Sequence, residues 1–279
     1  MHPGPLFSIG SFKVYPYGVC IAMGLIACLI VFFAYTSKMG VNETVQDFVY
    51  FVAIFAIALG FLSAKLFQAF YDYLANPEAG FNFAEAGLTV MGGLVGGIIM
   101  FLAIYFGVGH LVFKNKNNMH ITQFNEVLRV APACITVAHA FGRIGCLMAG
   151  CCYGRETDSV LGIFMRGANR VPTQLYEAIF LFLLFAVLTV LYFKKFNYTH
   201  AVYLVSYAIW RFIIEIFRDD YRGGAGALQP SQWQSIVFIL VAVAIVIAYR
   251  IFKFPTFVTY DLHETRKKKR IVKKVDKEN

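Results

Sequence analysis

The sequence predicts an all-α polytopic membrane protein, a bundle of seven transmembrane helices with the N-terminus outside and the C-terminus in the cytoplasm. Two features of the composition favour this fold class: 59% of the 279 residues are hydrophobic, and only 15% are charged. A soluble domain has about half apolar and about a quarter charged residues, so this excess indicates that lipid is the solvent. The third observation is that the apolar residues form runs long enough to cross a bilayer.

A hydrocarbon core roughly 30 Å thick requires about 20 apolar residues at the rise of an α-helix. Seven such runs follow one another along the chain: residues 17–37, 48–71, 88–108, 126–149, 174–193, 200–217 and 232–252. The sixth run is the weakest, because it contains Arg211 and Glu215. No secretory signal peptide is recognisable, so the first run is expected to be retained. Residues 1–254 are therefore predicted to form one transmembrane domain, and residues 255–279 a basic cytoplasmic tail.

The distribution of basic residues predicts the orientation of the chain. Ten of the 25 Lys and Arg lie from Arg250 onward, and basic residues concentrate on the cytoplasmic side of membrane proteins. The tail is therefore predicted to lie inside, together with Lys38, Lys114, Lys116, Lys194 and Lys195. The outer side then contains Lys13, Arg155, Arg166, Arg170, Arg218 and Arg222. We expect the tail to anchor the topology on anionic lipid, and we expect no nucleic-acid partner.

Ionisable side chains inside apolar runs are costly and are usually functional. The apolar runs contain Lys65, His139, Arg143, Glu177, Arg211 and Glu215, with Arg218 at the end of the sixth run. On the sixth helix, spacings of four and three place Tyr207, Arg211, Glu215 and Arg218 on one face. One glutamate cannot neutralise two arginines, so this face is predicted to bind an anion, and a guanidinium suits a phosphate. The alternative is that Arg211 and Glu215 merely neutralise each other.

His139 and Arg143 repeat this pattern on the fourth helix, four residues apart and on one face. In the predicted orientation, both helices carry these residues toward the outer leaflet, at about the depth of a lipid headgroup phosphate. Glycines at 142, 145, 150 and 154 allow close approach of a helix or of a ligand. The glycines of MGGLVGG, residues 91–97, could do the same, although helix packing is the favoured interpretation there.

Cys146, Cys151 and Cys152 follow Arg143 closely. They could be metal ligands, redox partners, nucleophiles or packing residues. Their spacing differs from the C-x2-C pairing of zinc sites, and no fourth ligand is evident. The sequence therefore favours small polarisable residues that line a wall of the site, and no metal or cofactor is predicted.

The segment GRIGCLMAGCCYG, residues 142–154, resembles the signature of the prolipoprotein diacylglyceryl transferases. These bacterial membrane enzymes move diacylglyceryl from phosphatidylglycerol to the cysteine of a lipoprotein. Further matching elements follow the family's order: YG at 17–18, GGL at 92–94, PTQLYE at 172–177, RFIIEIFR at 211–218 and SQWQSI at 231–236. The resemblance covers nearly the whole chain and implies seven transmembrane helices with a cap outside the membrane.

The resemblance also implies which residues form the site. Catalytic roles are expected for Tyr17, Arg143, Arg211 and Glu215. His139 is added to them because it shares a helix face with Arg143, not because of the resemblance. Substrate binding is expected for Arg143, Arg211, Arg218, Tyr207, Gly154, Gly92, Gly93 and Cys146. The chain departs from the family pattern at Met91, where the family has His, at Cys146, where it has Asn, and at Cys151, where it usually has Glu.

The predicted reaction is diacylglyceryl transfer from phosphatidylglycerol to the lipobox cysteine of a prolipoprotein, in the bacterial cytoplasmic membrane. The arginines would stabilise the leaving glycerol phosphate. Glu215 would orient an arginine or accept the thiol proton, and His139 is the expected base in place of the missing histidine. A helix-packing role for His139 is the alternative. Two other functions remain open, a non-enzymatic phospholipid-binding protein and a transferase with another acceptor.

Overall fold

The computed structural model describes residues 4–10, 12–116, 118–218 and 229–252. The predicted tail, residues 255–279, and Arg222 lie outside the described residues. Within them are seven α-helices: α1 Pro16–Met39, α2 Glu43–Ala75, α3 Val90–Phe113, α4 Met119–Ala149, α5 Thr173–Phe193, α6 Thr199–Glu215 and α7 Pro230–Phe252. Two short antiparallel hairpins accompany them, β1 Phe7–Ile9 with β2 Phe12–Val14, and β3 Ile163–Met165 with β4 Ala168–Arg170.

Each of the seven predicted runs coincides with one of these helices. Six of the helices in the described part of the chain are long and apolar enough to cross a membrane, whereas α6 has only 17 residues. Many large apolar side chains on these helices are exposed, as lipid-facing residues are. The protein is therefore a polytopic helical membrane protein.

Local sequence explains where α1 ends and α2 begins. Pro16 lies in the first turn of α1, where its missing N–H costs nothing. Gly40 ends the helix in the left-handed conformation, with φ 79°, and its N–H donates to the last turn. Asn42 then caps α2, because its side chain accepts a hydrogen bond from the Thr44 N–H at 2.9 Å.

The helices belong to two compact units, and residues Val41–Phe124 form one of them. In this unit α2 packs closely on α3 through small residues. A Cβ on Gly60 would lie 3.2 Å from the carbonyl oxygen of Gly93 and 3.4 Å from the Cα of Gly97. Lys65, one of the ionisable residues of the second run, donates to the carbonyl of Ala84 at 3.1 Å in the connection after α2. Its amine also lies 5.1 Å from the centroid of the Phe83 ring.

The other unit contains α1, α5, α6, α7 and α4 from Asn125 onward. Its core includes Ala133, Leu184 and Leu188, with Ala140, Leu181 and Tyr207 forming a second cluster. The first helix packs tightly on α4, because a Cβ on Gly24 would lie 2.8 Å from the Ala138 carbonyl oxygen. The ends of α4 and α6 and the beginning of α5 carry the charged residues that sequence analysis singled out.

Candidate functional site

A group of charged and polar side chains, buried or partly buried, comes together from α4, α5 and α6. His139 and Arg143 come from α4, and Tyr207, Arg211 and Glu215 come from α6, as the helical spacing predicted. A further carboxylate, Glu177, lies one turn into α5. We call this group the arginine–glutamate cluster, comprising His139, Arg143, Glu177, Tyr207, Arg211 and Glu215.

Glu177 is the centre of the cluster, since its carboxylate contacts residues of both neighbouring helices. Its Oε1 lies 3.0 Å from Nη2 of Arg143 and accepts a hydrogen bond from the Tyr207 hydroxyl at 3.0 Å. Its Oε2 lies 3.6 Å from Nη1 of Arg211. Arg211 in turn lies 3.3 Å from Oε2 of Glu215. The three helices are thus joined by one continuous network of charges.

Burial makes this network costly to disturb. The side chain of Glu177 is fully buried, while those of Arg211 and Glu215 are 7% and 5% exposed and that of Arg143 is 15% exposed. Desolvation of an ion costs several kcal/mol, and only good pairing and hydrogen bonding compensate for it. The two carboxylates balance the two guanidiniums, so the charge of these four side chains sums to zero.

This balance corrects one step of the sequence argument, which considered the charges of the sixth helix alone. Glu177 supplies the second carboxylate, so that Arg143 and Arg211 are faced by two carboxylates rather than one. Glu177 stands out in the sequence as an ionisable residue in an apolar run, but the sequence alone predicted no role for it. The available signal was its position in the PTQLYE motif, although the motif does not indicate which helices its carboxylate contacts.

Both arginines keep hydrogen-bonding capacity despite these contacts. Among the buried polar atoms of the described residues, Nε of Arg143 has no hydrogen-bond partner, and Nη1 of Arg211 has only the 3.6 Å ion pair with Glu177, which is longer than a hydrogen bond. Buried N–H groups are normally satisfied. Two unsatisfied guanidinium donors in one cluster therefore fit an anionic ligand such as a phosphate.

His139 lies beside the network without being bound firmly to it. Its Nε2 is 3.7 Å from Oε1 of Glu177, longer than a hydrogen bond. Its ring meets the Tyr207 ring edge-on, with centroids 5.2 Å apart. The side chain is 27% exposed. This geometry is compatible with a base and with a packing residue, so its catalytic role stays a prediction.

Tyr17 approaches the same end of the unit from α1. A Cβ on Gly145 would lie 3.1 Å from both the Tyr17 ring and the Cys20 side chain, so Gly145 allows α1 close to α4. Tyr17 also interacts electrostatically with Arg143 and with the three cysteines that follow it. Its predicted catalytic role is untested by these contacts, but its location beside Arg143 agrees with it.

Gly154 joins the connection after α4 to the end of α6. Its N–H donates to the Val171 carbonyl at 2.8 Å, and it forms an antiparallel bridge with Arg218. A Cβ on Gly154 would lie only 2.5 Å from the Phe217 carbonyl oxygen, a backbone atom that cannot move aside easily. Gly154 and Arg218 are therefore brought together by the backbone, and their substrate-binding roles remain predictions.

Gly92 and Gly93 belong to the Val41–Phe124 unit, where they pack against α2. A Cβ on Gly92 would lie 2.6 Å from the Phe67 Cβ, and one on Gly93 would lie 3.3 Å from the Ala64 Cβ. This packing agrees with the interpretation that the sequence favoured for the MGGLVGG segment. Their predicted contact with substrate stays a prediction.

The three cysteines after Arg143 come together in space. Cys146 is in the last turn of α4, and Cys151 and Cys152 follow its end. Their Sγ atoms all lie within 4.8 Å of one another. Hydrogen bonds from the Cys146 and Cys151 thiols, together with the nearby Arg143 and Arg218 guanidiniums, hold the pKa of the Cys152 thiol below its ordinary value. The sequence favoured wall residues at these three positions and did not predict that their sulfurs would meet.

The fold and site together define a polytopic helical membrane protein with a buried, anion-compatible cluster of arginines. The sequence profile of the family described as prolipoprotein diacylglyceryl transferase matches residues 5–248. A phosphatidylglycerol–prolipoprotein diacylglyceryl transferase of Clostridium tetani is 32% identical, over 85% of this chain and 94% of the relative. One from Dehalococcoides mccartyi is 34% identical, over 86% of this chain and 90% of the relative. The chain belongs to the prolipoprotein diacylglyceryl transferase family.

Proposed function

We propose that this protein transfers diacylglyceryl from phosphatidylglycerol to the thiol of the lipobox cysteine of a prolipoprotein. The names of the relatives from Clostridium tetani and Dehalococcoides mccartyi state this donor and this acceptor class. The observation within the chain that carries the proposal is the pair Arg143 and Arg211, each in contact with Glu177 and each with a guanidinium N–H that has no hydrogen-bond partner.

The proposed reaction makes one bond and breaks one bond. The sulfur of the acceptor cysteine attacks C3 of the diacylglyceryl group, and the C3–O bond to the phosphate breaks. The electron pair of that bond leaves on the oxygen of glycerol phosphate, and the thiol proton goes to a base. Negative charge therefore develops on the phosphate, where positioned donors stabilise the transition state most.

Arg143 and Arg211 are the proposed donors to that phosphate, with Arg218 adding positive charge. Glu177 and Glu215 would fix the two guanidiniums, because a side chain bound on one edge presents its remaining N–H groups in a constant direction. His139 is the proposed base, since imidazole is the side chain that most readily accepts a proton near neutral pH. Tyr17 and Gly154 would line the donor site.

The proposal includes an orientation for the chain. We propose seven crossings, with the N-terminus outside the bacterial cytoplasmic membrane and the C-terminus in the cytoplasm. This count takes α6, which has 17 residues, as a crossing in addition to the six helices that are long and apolar enough to span a membrane. The basic C-terminal residues favour the cytoplasm for that end of the chain. The arginine–glutamate cluster would then lie toward the outer leaflet, where phosphatidylglycerol headgroups and exported prolipoproteins are both accessible.

Complementation tests the proposal in bacteria depleted of their own transferase. The unaltered protein should restore growth and shift a prolipoprotein to its lipidated form on a gel. Replacing Arg143 or Arg211 by Ala should reduce transfer by about a hundredfold or more, because a positioned charge at a developing anion is lost. Arg250→Ala is the matched control, since Arg250 is an exposed arginine in the last turn of α7.

Two outcomes would contradict this function. Absence of lipidated product from the unaltered protein, although it is inserted in the membrane and binds phosphatidylglycerol vesicles, would indicate a lipid-binding protein. Unaltered transfer in Arg143→Ala or Arg211→Ala would show that the arginines serve only the fold.

A further inference from the structure

The three cysteines at the end of α4 lie close enough together to hold one metal ion. We call them the three-thiol cluster (Cys146, Cys151 and Cys152). The chain reverses direction after the helix, because Gly150 and Cys152 both adopt left-handed conformations, with φ 63° and 61°. The Cys151 N–H donates to the Cys146 carbonyl at 3.1 Å, and its thiol lies 3.6 Å from the same oxygen. This turn is what brings the three Sγ atoms within 4.8 Å of one another.

Side chains from α5 hold the turn in place. The Thr173 hydroxyl donates to the Cys152 carbonyl at 2.7 Å, and the Gln174 amide donates to the Cys151 carbonyl at 2.5 Å. Both side chains belong to buried residues. A left-handed conformation at a residue other than glycine costs on the order of 1–3 kcal/mol and persists only where surrounding contacts enforce it. The strained position of Cys152 is therefore fixed by contacts beyond its own loop.

The sulfur positions match the dimensions of a metal site. Thiolates bind Zn²⁺ at about 2.3 Å, so three sulfurs around one cation lie roughly 3.8 to 4.0 Å apart. Sulfurs already within 4.8 Å need to move by less than about 1 Å each to reach that geometry. Thiolate ligands select soft cations such as Zn²⁺ and Cu⁺, whereas Mg²⁺ and Ca²⁺ require oxygen ligands.

Charge and number of ligands also favour a cation over a disulfide. A disulfide would use two sulfurs and leave the third without a role, and it would require an oxidant. Three thiolates on one Zn²⁺ give a net charge of −1, and each cysteine that is still a thiol releases its proton to solvent on binding. The guanidiniums of Arg143 and Arg218 both interact electrostatically with Cys152 and so favour a negatively charged group at this place.

We propose that the three-thiol cluster binds one thiophilic cation, Zn²⁺ or Cu⁺, through Cys146, Cys151 and Cys152. Three protein ligands leave the fourth tetrahedral position of Zn²⁺ open, as in catalytic zinc sites. The site does not depend on the proposed transfer reaction, and metal binding can be measured without it.

Zinc titration of the purified, fully reduced protein without a histidine tag tests the site, in competition with a chromophoric chelator. The chain offers a matched pair of triple variants, each of which keeps three of its six cysteines. Cys20→Ala, Cys28→Ala and Cys134→Ala together leave the cluster intact, and this variant should bind one equivalent of Zn²⁺. Cys146→Ala, Cys151→Ala and Cys152→Ala together should abolish that one-equivalent step. Co²⁺ should give thiolate charge-transfer absorption in the first variant alone.

A second measurement on the unaltered protein keeps the test decisive if a triple variant fails to fold. Alkylation followed by peptide mass mapping should show that Zn²⁺ protects Cys146, Cys151 and Cys152 and leaves the modification of Cys20 unchanged. Equal zinc binding by the two triple variants would overturn the proposal. So would the absence of a one-equivalent step in the variant with the intact cluster, or unprotected cluster cysteines in the mapping experiment.

Discussion

Replacing Glu177 by Gln should be among the most damaging single changes in this protein. The substitution keeps the size of the side chain but removes the charge that contacts Arg143 at 3.0 Å and Arg211 at 3.6 Å. At an effective dielectric constant of about 20, these two contacts correspond to gross attractions of about 5.5 and about 4.6 kcal/mol. Desolvation offsets much of this attraction, and loss of one partner from a buried pair costs about 3–5 kcal/mol net.

The expected result is therefore a lower unfolding temperature in detergent and a loss of transfer. Glu156→Gln is the matched control, because Glu156 also pairs with an arginine, Arg170, but its side chain is 65% exposed. Such surface pairs contribute about 0–1 kcal/mol. Thermal unfolding monitored by tryptophan fluorescence, together with the prolipoprotein gel shift, would compare the two variants directly.

A double-mutant cycle with Arg143→Met separates the ion pair from other effects of the substitution. If Glu177 serves mainly to balance Arg143 and Arg211, the double variant should be less destabilised than the sum of the two single variants, by about 0.5–3 kcal/mol. Strict additivity, or a Glu177→Gln variant as stable and as active as Glu156→Gln, would refute the central role given to this carboxylate.

Three further predictions follow from the described contacts. Val160 is 98% exposed, so a cysteine introduced by Val160→Cys should react with an impermeant thiol reagent added outside the cell. Reaction only from the cytoplasmic side would reverse the proposed orientation. His139→Gln should abolish transfer if His139 is the base. His110→Gln is the control, because His110 is exposed on α3, and it should leave transfer unchanged. Full transfer in His139→Gln would exclude His139 as the base. Gly154→Ala should lower the unfolding temperature and the rate of transfer, because the added Cβ would lie 2.5 Å from a backbone carbonyl oxygen. Gly142→Ala should change neither quantity, because its nearest contact would be at 3.7 Å.

Hydropathy was sufficient to predict the seven helices but not their full length. The fourth run begins at 126, whereas α4 begins at Met119, because its first turns are amphipathic and bury His120 and Gln123. The second run, 48–71, likewise continues into polar residues at both ends of α2, which extends from Glu43 to Ala75. An apolar window measures the segment that lipid requires, whereas hydrogen bonding decides where a helix stops.

The helical period also predicted which charged residues of one helix share a face, and the contacts of Arg211 with Glu215 agree with it. It could not predict contacts between helices, which depend on how α4, α5 and α6 pack. Glu177 was therefore given no role, although it contacts residues of two other helices. The three-thiol cluster was missed for a related reason, since it depends on a left-handed backbone at Cys152 that residue spacing does not indicate.

The arrangement of the cluster suggests why an apolar protein retains its most costly side chains at this place. The fully buried carboxylate of Glu177 contacts the guanidiniums of Arg143 and Arg211, of which Arg143 is the more exposed to solvent. If Arg143 and Arg211 were unpaired, their burial would be prohibitive, and if they were fully paired, they would have no donor left for a ligand. Arg143 pairs with Glu177 through Nη2 and leaves Nε without a hydrogen-bond partner, while Nη1 of Arg211 lies 3.6 Å from Glu177, beyond hydrogen-bond length, and this arrangement satisfies both requirements. The carboxylates thus offset the free energy that burial of the arginines costs. The arginines keep the capacity to bind phosphate, which the proposed reaction needs.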